Sequence, residues 1–257
     1  MSRDAPRPAP VITDPMFFAA AVPAVFLMGL SKSGFGAGFG ALAVPLMALT
    51  IPVPQAAAIM LPLLCLADFS GLAALIRQAD WRLLRLLIPA GLLGSLIGWA
   101  SFGLMPVKAV AGVVGAVTLL FVALRLYFPP KADVPVPHRG LGWLLGAASG
   151  YTSFIAHAGA PPISFYMLPL KLEPLRFSGT MAVFFTVVNL SKWIPYWQLG
   201  LIDLTNLGTS LALGPVVLAG VFTGVRLASR VKPTLFYRLV MAGMVLSGGK
   251  LLWDAFR

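Results

Sequence analysis

Charged side chains make up only 11% of these 257 residues, against roughly 25% in soluble domains. A chain so poor in charge cannot clothe a water-facing surface. With 59% hydrophobic residues and a mean hydropathy of +0.90, its solvent is a lipid bilayer. Acid is the scarcer sign: 8 Asp and Glu stand against 19 Lys and Arg, a formal net charge of +11. That excess would suit a phosphate-binding domain, but the cations are scattered at the ends of apolar runs, as at the cytoplasmic ends of membrane helices. No nucleic-acid partner is expected. The single cysteine, Cys65 in MLPLLCLADF, excludes an intrachain disulfide and reads as a small buried hydrophobe. His138 and His157 are the only histidines, and the ten methionines show no ligand spacing, so no metal cluster or other cofactor is expected. The GxxxxGK[ST] phosphate loop is missing, which argues against direct use of ATP. No nucleophile and base set supports an enzyme.

What the chain does have is apolar runs. A helical crossing takes about 20 mainly apolar residues, and by that measure segments fall near 16–30, 40–51, 56–76, 86–105 and 109–128, then near 141–155, 160–170, 177–196, 204–225 and 234–253. The fold class is therefore an all-α, polytopic membrane bundle of two homologous halves, each opening with a broken or re-entrant Gly-rich segment. Residues 1–15 read as a disordered leader, 16–128 as the first membrane repeat, 129–140 as a cytoplasmic linker and 141–257 as the second repeat. Adding 121 carries Gly29 to Gly150, Gly38 to Gly159, Asp68 to Asn189 and Ser70 to Ser191. Asp80 and Asp203 correspond with an offset of 123, and the pairs Gly94/Gly98 and Gly220/Gly224 recur at equivalent places. GxxxG spacing lets helix backbones approach closely in lipid.

Charge bias swaps between the halves. Arg77, Arg82 and Arg85 crowd one first-half loop, while its counterpart Gln198–Asp203 has no Lys or Arg; Lys171 and Arg176 correspond to the uncharged Pro52–Gln55. By the positive-inside rule the halves are inverted, with both termini outside. Scored this way, ten loop cations lie inside (Arg77, Arg82, Arg85, Lys131, Arg139, Lys171, Arg176, Arg226, Arg230, Lys232) and four outside (Arg3, Arg7, Lys108, Arg257). A parallel arrangement of four plus four spans is the alternative, and whether the broken segments are full crossings or re-entrant stays open.

Inverted repeats with interrupted helices point to a transporter with its site near the midplane. Irregular backbone at that depth must line protein or water, and exposed half-helix N–H groups favour an anion. The first break, GLSKSGFGAGFGALAVP from Gly29 to Pro45, supplies Lys32, Ser33, Gly36 and Gly38; the second, SGYTSFIAHAGAPPISF from Ser149 to Phe165, supplies Ser153, His157 and Gly159. Asn189 and Ser191 complete the candidate substrate-binding set. An ionisable group at this depth is a functional candidate by default, and Lys32 offers an ammonium to an oxyanion. His157 reads either as an anion donor coupled to protons or as a structural histidine. Asp68, in LADFSG, would oppose an anion, so it pairs with a cation such as Lys32 or carries a proton. Lys192 is taken with Asp68 as a coupling or structural pair, although its neighbours Trp193 and Trp197 favour a snorkelling lysine at the interface. Arg125 reads as an anchor at a span end.

GLSKSGFGAGFGALAVPLMAL, the loop RQADW and its degenerate copy LGLID resemble the signature of the sulfite exporter TauE/SafE family of membrane permeases. The resemblance runs from about Ala20 to Leu252. Where that family shows a fuller glycine run in both halves, this chain has GFGAGFG and HAGAPP. The resemblance implies a multi-pass plasma-membrane permease that exports sulfite, an organosulfonate or a related small anion. A passive anion channel is the alternative function, and a membrane-embedded enzyme or assembly factor is a third. A small anion and lipid are the expected partners, with a homo-oligomer left open.

Overall fold

The computed structural model describes residues 11–32, 39–127, 137–227 and 233–257. Helices account for every regular element among them. The first half comprises α1 (Pro15–Lys32), α2 (Ala43–Met47) preceded by a 3-10 turn from Phe39 to Leu42, α3 (Val53–Leu75), α4 (Trp81–Phe102) and α5 (Val107–Tyr127). The second comprises α6 (Arg139–Ala156), α7 (Ala160–Met167), α8 (Pro174–Ser191), α9 (Trp193–Gln198), α10 (Leu204–Leu227) and α11 (Pro233–Phe256). Among the described residues, α1, α3, α4, α5 and α10 contain stretches long and apolar enough to cross a membrane. The chain is an all-α polytopic membrane protein.

Sequence expectation and structure agree on the order of elements, with three local differences. The expected span near 177–196 is broken at Lys192, where α8 gives way to the short α9. α6 begins at Arg139, inside the stretch read as linker. The end of the leader is docked rather than loose, since the Ile12 N–H donates to Thr209 Oγ1 of α10 at 3.1 Å. The rest of the leader up to residue 10 and of the linker, residues 128–136, lies outside the described residues.

The paired loop aspartates are helix caps. Asp80 accepts from the N–H groups of Arg82 and Leu83, both at 3.0 Å, and opens α4. Asp203 accepts from the Asn206 N–H at 2.7 Å and opens α10. A side-chain acceptor here satisfies N–H groups that have no helical partner. α4 and α10 also share an internal proline at matching places, Pro89 and Pro215, which helix neighbours render tolerable in a membrane.

Glycines set how the halves interlock. A Cβ built on Gly94 would meet the Ala147 carbonyl oxygen at 1.9 Å, and one on Gly150 the Gly91 oxygen at 1.8 Å. At the equivalent contact between α10 and α1, a Cβ on Gly220 would meet the Phe26 oxygen at 2.4 Å, and one on Gly29 the Val217 oxygen at 2.4 Å. Phe26 and Ala147 stand in the same 121-residue relation as Gly29 and Gly150. So α4 of the first half packs on α6 of the second, and α10 of the second packs on α1 of the first, through equivalent residues. Backbone touches backbone at all four points, which only glycine permits.

Contacts along the helices give their directions. α3 and α8 run antiparallel, with Leu75 against Gly179, Asp68 against Asn189 and Cys65 against Trp193. α5 and α11 also run antiparallel, with Gly112 against Ala255 and Thr118 against Gly248. α4 and α6 run parallel, with Leu86 against Gly142, Gly91 against Gly150 and Gly98 against Phe154. The main apolar core gathers α1, α2, α3, α5 and parts of α6, α10 and α11, and a smaller core fills the space between α4, α7 and α8.

Candidate functional site

Polar groups concentrate where the later part of α3 meets the C-terminal end of α8. Asp68 is 2% exposed and Asn189 equally so. Asn189 Nδ2 donates to Asp68 Oδ2 at 2.6 Å. These two residues are repeat equivalents, so the bond joins the halves at their shared centre. On one side, the Lys32 ammonium at the end of α1 bonds the other carboxylate oxygen, Asp68 Oδ1. The same ammonium lies 5.0 Å from the Phe185 ring centroid, close enough for a cation–π contact.

On the other side lies Lys192, which is completely buried. Its Nζ donates to the Ser153 carbonyl at 2.7 Å and to Asn189 Oδ1 at 2.8 Å, with Ser153 Oγ at 2.8 Å and His157 Nδ1 at 3.1 Å. This corrects the snorkelling reading: Lys192 points inward, and the helix break beside it turns Trp193 toward Cys65, to whose Sγ the indole N–H donates at 3.4 Å. Flanking tryptophans marked an interface by composition, but the chain there bends back into the bundle.

His157 ends α6 in the left-handed conformation, φ 52°. Its Nε2 stands 2.9 Å from the Ala57 carbonyl of α3. A carbonyl can only accept, so Nε2 carries the hydrogen and Nδ1 is left to accept from Lys192. The Ser153 carbonyl, Asn189 Oδ1 and His157 Nδ1 are then three acceptors for the three N–H bonds of an ammonium. The relay runs Lys32, Asp68, Asn189, Lys192, with Ser153 and His157 at its far end. Only Lys32 touches the Asp68 carboxylate; Lys192 is linked to it through the Asn189 side chain.

The relay forms the floor of a cavity of about 420 Å³. Lys32, Asp68, Asn189, Ser153 and His157 line its polar end, and Met181 and Phe185 of α8 contribute to its apolar wall. Lys32, with 24% of its side chain exposed, is the only cation lining it among the described residues. The cavity extends past Leu75 and Phe177 to Pro174, the end of α3 and start of α8 that carry Arg77 and Arg176. In the opposite direction, past Lys192, Phe154 and Tyr196 are fully buried with ring centroids 5.2 Å apart. Phe102 packs edge-on against Phe154 at 5.9 Å, and the Tyr196 hydroxyl donates to the Phe154 carbonyl at 2.7 Å.

The structure therefore brings together Lys32, Asp68, Ser153, His157, Asn189 and Lys192. It does not bring in Ser191, whose hydroxyl donates back to the Val188 carbonyl of its own helix at 2.8 Å. Gly159 is not among the residues lining the cavity, and its carbonyl accepts from Ser149 Oγ at 2.6 Å. α7 starts with Pro161 and Pro162 in its first turn, which removes N–H donors from the end expected to offer them. Ser33, Gly36 and Gly38 lie outside the described residues. Phe185 and the Ala57 carbonyl escaped the sequence reading. Phe185 was findable, since it sits four residues before Asn189 and so on the same helix face; a carbonyl acceptor leaves no sequence signal.

A helical membrane bundle of two interlocked halves, enclosing a cation-lined cavity at their common centre, has the architecture of a membrane transporter. Residues 21–251 match the family model for sulfite exporter TauE/SafE, and the chain belongs to that family. Neither a curated protein nor a solved structure matches the chain to the same standard.

Proposed function

We propose that the protein is a secondary transporter that exports a small anion, namely sulfite, an organosulfonate or a related oxyanion or carboxylate, across the inner (plasma) membrane. The observation that carries this reading is Lys32, the one cation lining the open cavity among the described residues, standing at the head of the Lys32–Asp68–Asn189–Lys192 relay. Lys32 presents its ammonium to the cavity while Asp68 holds it in place. Ser153 lines the same end, and its hydroxyl, which accepts from Lys192, keeps its own hydrogen to donate to an oxygen of a tetrahedral or trigonal oxyanion; His157 lines that end with both ring nitrogens engaged.

In this reading the repeats 16–128 and 141–257 are inverted and joined by a cytoplasmic linker at 129–140. The antiparallel packing of equivalent helices, α3 on α8 and α5 on α11, supports it, as does the loop charge. The cavity mouth then faces the cytoplasm, and the Phe102–Phe154–Tyr196 cluster closes the path outward. Alternating access requires that cluster to part as the mouth closes.

Flux in proteoliposomes tests the proposal. With a proton gradient imposed, the transporter accumulates the anion beyond its own gradient. A passive channel equilibrates it and stops, and that outcome would replace the transporter reading.

A further inference from the structure

Another cleft among the described residues is lined by none of the relay residues and lies at the start of the parallel pair α4 and α6. It encloses about 550 Å³ and is lined by Arg82, Arg85, Leu86, Arg139, Gly140 and Trp143. Close glycine contact at Gly94 and Gly150 fixes the spacing of the two helices, so their first turns bring three guanidiniums around one opening. Three described cations elsewhere pair with acids: Lys32 with Asp68, Arg176 with Asp80 and Lys250 with Asp254. Among the described residues, no carboxylate forms an ion pair with Arg82, Arg85 or Arg139. The nearest acid in sequence, Asp80, is engaged by the α4 cap and by Arg176 at 2.9 Å. Both helices also direct their N-terminal, positive dipole ends to this place.

Away from the cleft the outward faces of the same helices are apolar. Leu93, Leu96 and Ile97 of α4 are 45%, 53% and 50% exposed, and Leu144 of α6 is 65% exposed. A positive cleft capping an acyl-compatible face, with Trp143 at the boundary, matches a molecule that has a phosphate head and hydrocarbon tails. Guanidiniums bind phosphate oxygens in pairs. We infer that this cleft is a binding site for the phosphodiester headgroup of an anionic phospholipid, with the acyl chains lying along α4 and α6.

Native mass spectrometry of the full-length protein, titrated in detergent with phosphatidylglycerol, phosphatidylcholine or inorganic phosphate, tests this. One saturable phosphatidylglycerol site is expected, at least tenfold tighter than phosphatidylcholine and not competed by equimolar inorganic phosphate. Each basic residue near a membrane surface contributes about 1 kcal/mol, or about fivefold. Arg85→Gln should thus weaken the site about fivefold, and Arg82→Gln/Arg85→Gln/Arg139→Gln about a hundredfold. Arg226→Gln, on a different helix, should change it less than twofold. Wild-type affinity in either cleft variant overturns the inference. So does an equal loss in Arg226→Gln, which would mean diffuse attraction, or full competition by inorganic phosphate, which would make the site one for the free ion. Sulfite or sulfonate flux is measured separately, so loss of the lipid site leaves the transport reading standing.

Discussion

At the scale of single residues, Lys192 and Lys32 carry the same charge and do different work. Lys192 is sealed in with three obligate acceptors. Removing its ammonium strands the Ser153 carbonyl, Asn189 Oδ1 and His157 Nδ1, and each buried unmet group costs about 1–3 kcal/mol. Lys192→Met is therefore expected to lower stability by several kcal/mol, read as a fall in the thermal midpoint of the purified protein. Lys192→Arg restores charge with a planar fork that fits the tight pocket poorly, so its midpoint falls between the two. A Met variant as stable as the parent would show that the buried network is dispensable. Asp68 has the opposite effect on the cavity. Asp68→Asn keeps one acceptor oxygen, enough for either Lys32 or Asn189 but not both, and removes the negative charge. Anion binding is then expected to tighten roughly a hundredfold, given like charges about 6 Å apart in a medium of effective dielectric about 20, which repel by about 2.8 kcal/mol, while proteoliposome turnover falls because release slows. Weaker anion binding in that variant would mean that the carboxylate positions Lys32 rather than opposing the substrate.

At the scale of elements, the fold depends on four backbone contacts that glycine alone permits. Gly94→Ala and Gly220→Ala insert a methyl group where the nearest carbonyl oxygen stands 1.9 Å and 2.4 Å from the Cβ position. Overpacking of this kind costs about 1–3 kcal/mol. Gly249 sits in α11 with nothing within 4 Å, so Gly249→Ala should be neutral or stabilising by up to about 1 kcal/mol. Thermal midpoints of the three variants distinguish close packing from mere flexibility: equal midpoints would reject the packing account. The recurrence of these glycines was legible, because the repeat offset exposed Gly29/Gly150 and the GxxxG pairs directly. Their partners were not. Nothing in the local sequence says that α4 docks on α6 while α10 docks on α1, since the exchange between halves is long-range. The break at Lys192 was hidden for a related reason: the stretch from Phe177 to Tyr196 is apolar enough to read as one helix.

At the scale of the whole molecule, the two halves meet at Asp68 and Asn189, and the site follows from that meeting. Sequence alone paired these two residues by position and paired Lys32 with Asp68 by charge, and both pairs are bonded. It also placed Ser191 and Gly159 in the site, but the Ser191 hydroxyl turns back on its helix and Gly159 is not among the cavity-lining residues. Side-chain direction within a break depends on where the chain re-enters the bundle, which periodicity does not encode. Topology is tested by labelling. Cysteines at Gln78 and Gln198, which are exposed at the ends of short helical turns near matching places in the two repeats, are expected to react from opposite sides of the membrane, Gln78 from the cytoplasm. Reaction of both from one side would favour parallel halves. The most direct test of the account concerns Lys32 itself. Methanesulfonate keeps a sulfonate head and resists oxidation, so its binding to purified protein can be followed by calorimetry. Hydrogen bonds to charged groups are worth about 1.5–3 kcal/mol, so Lys32→Ala should weaken binding from about tenfold to over a hundredfold. Lys32→Arg should recover part of that loss, and Lys108→Ala, at an exposed helix start, should change it little. A well-folded Lys32→Ala protein that binds methanesulfonate as tightly as the parent would contradict the claim that this lysine and its relay form the anion site.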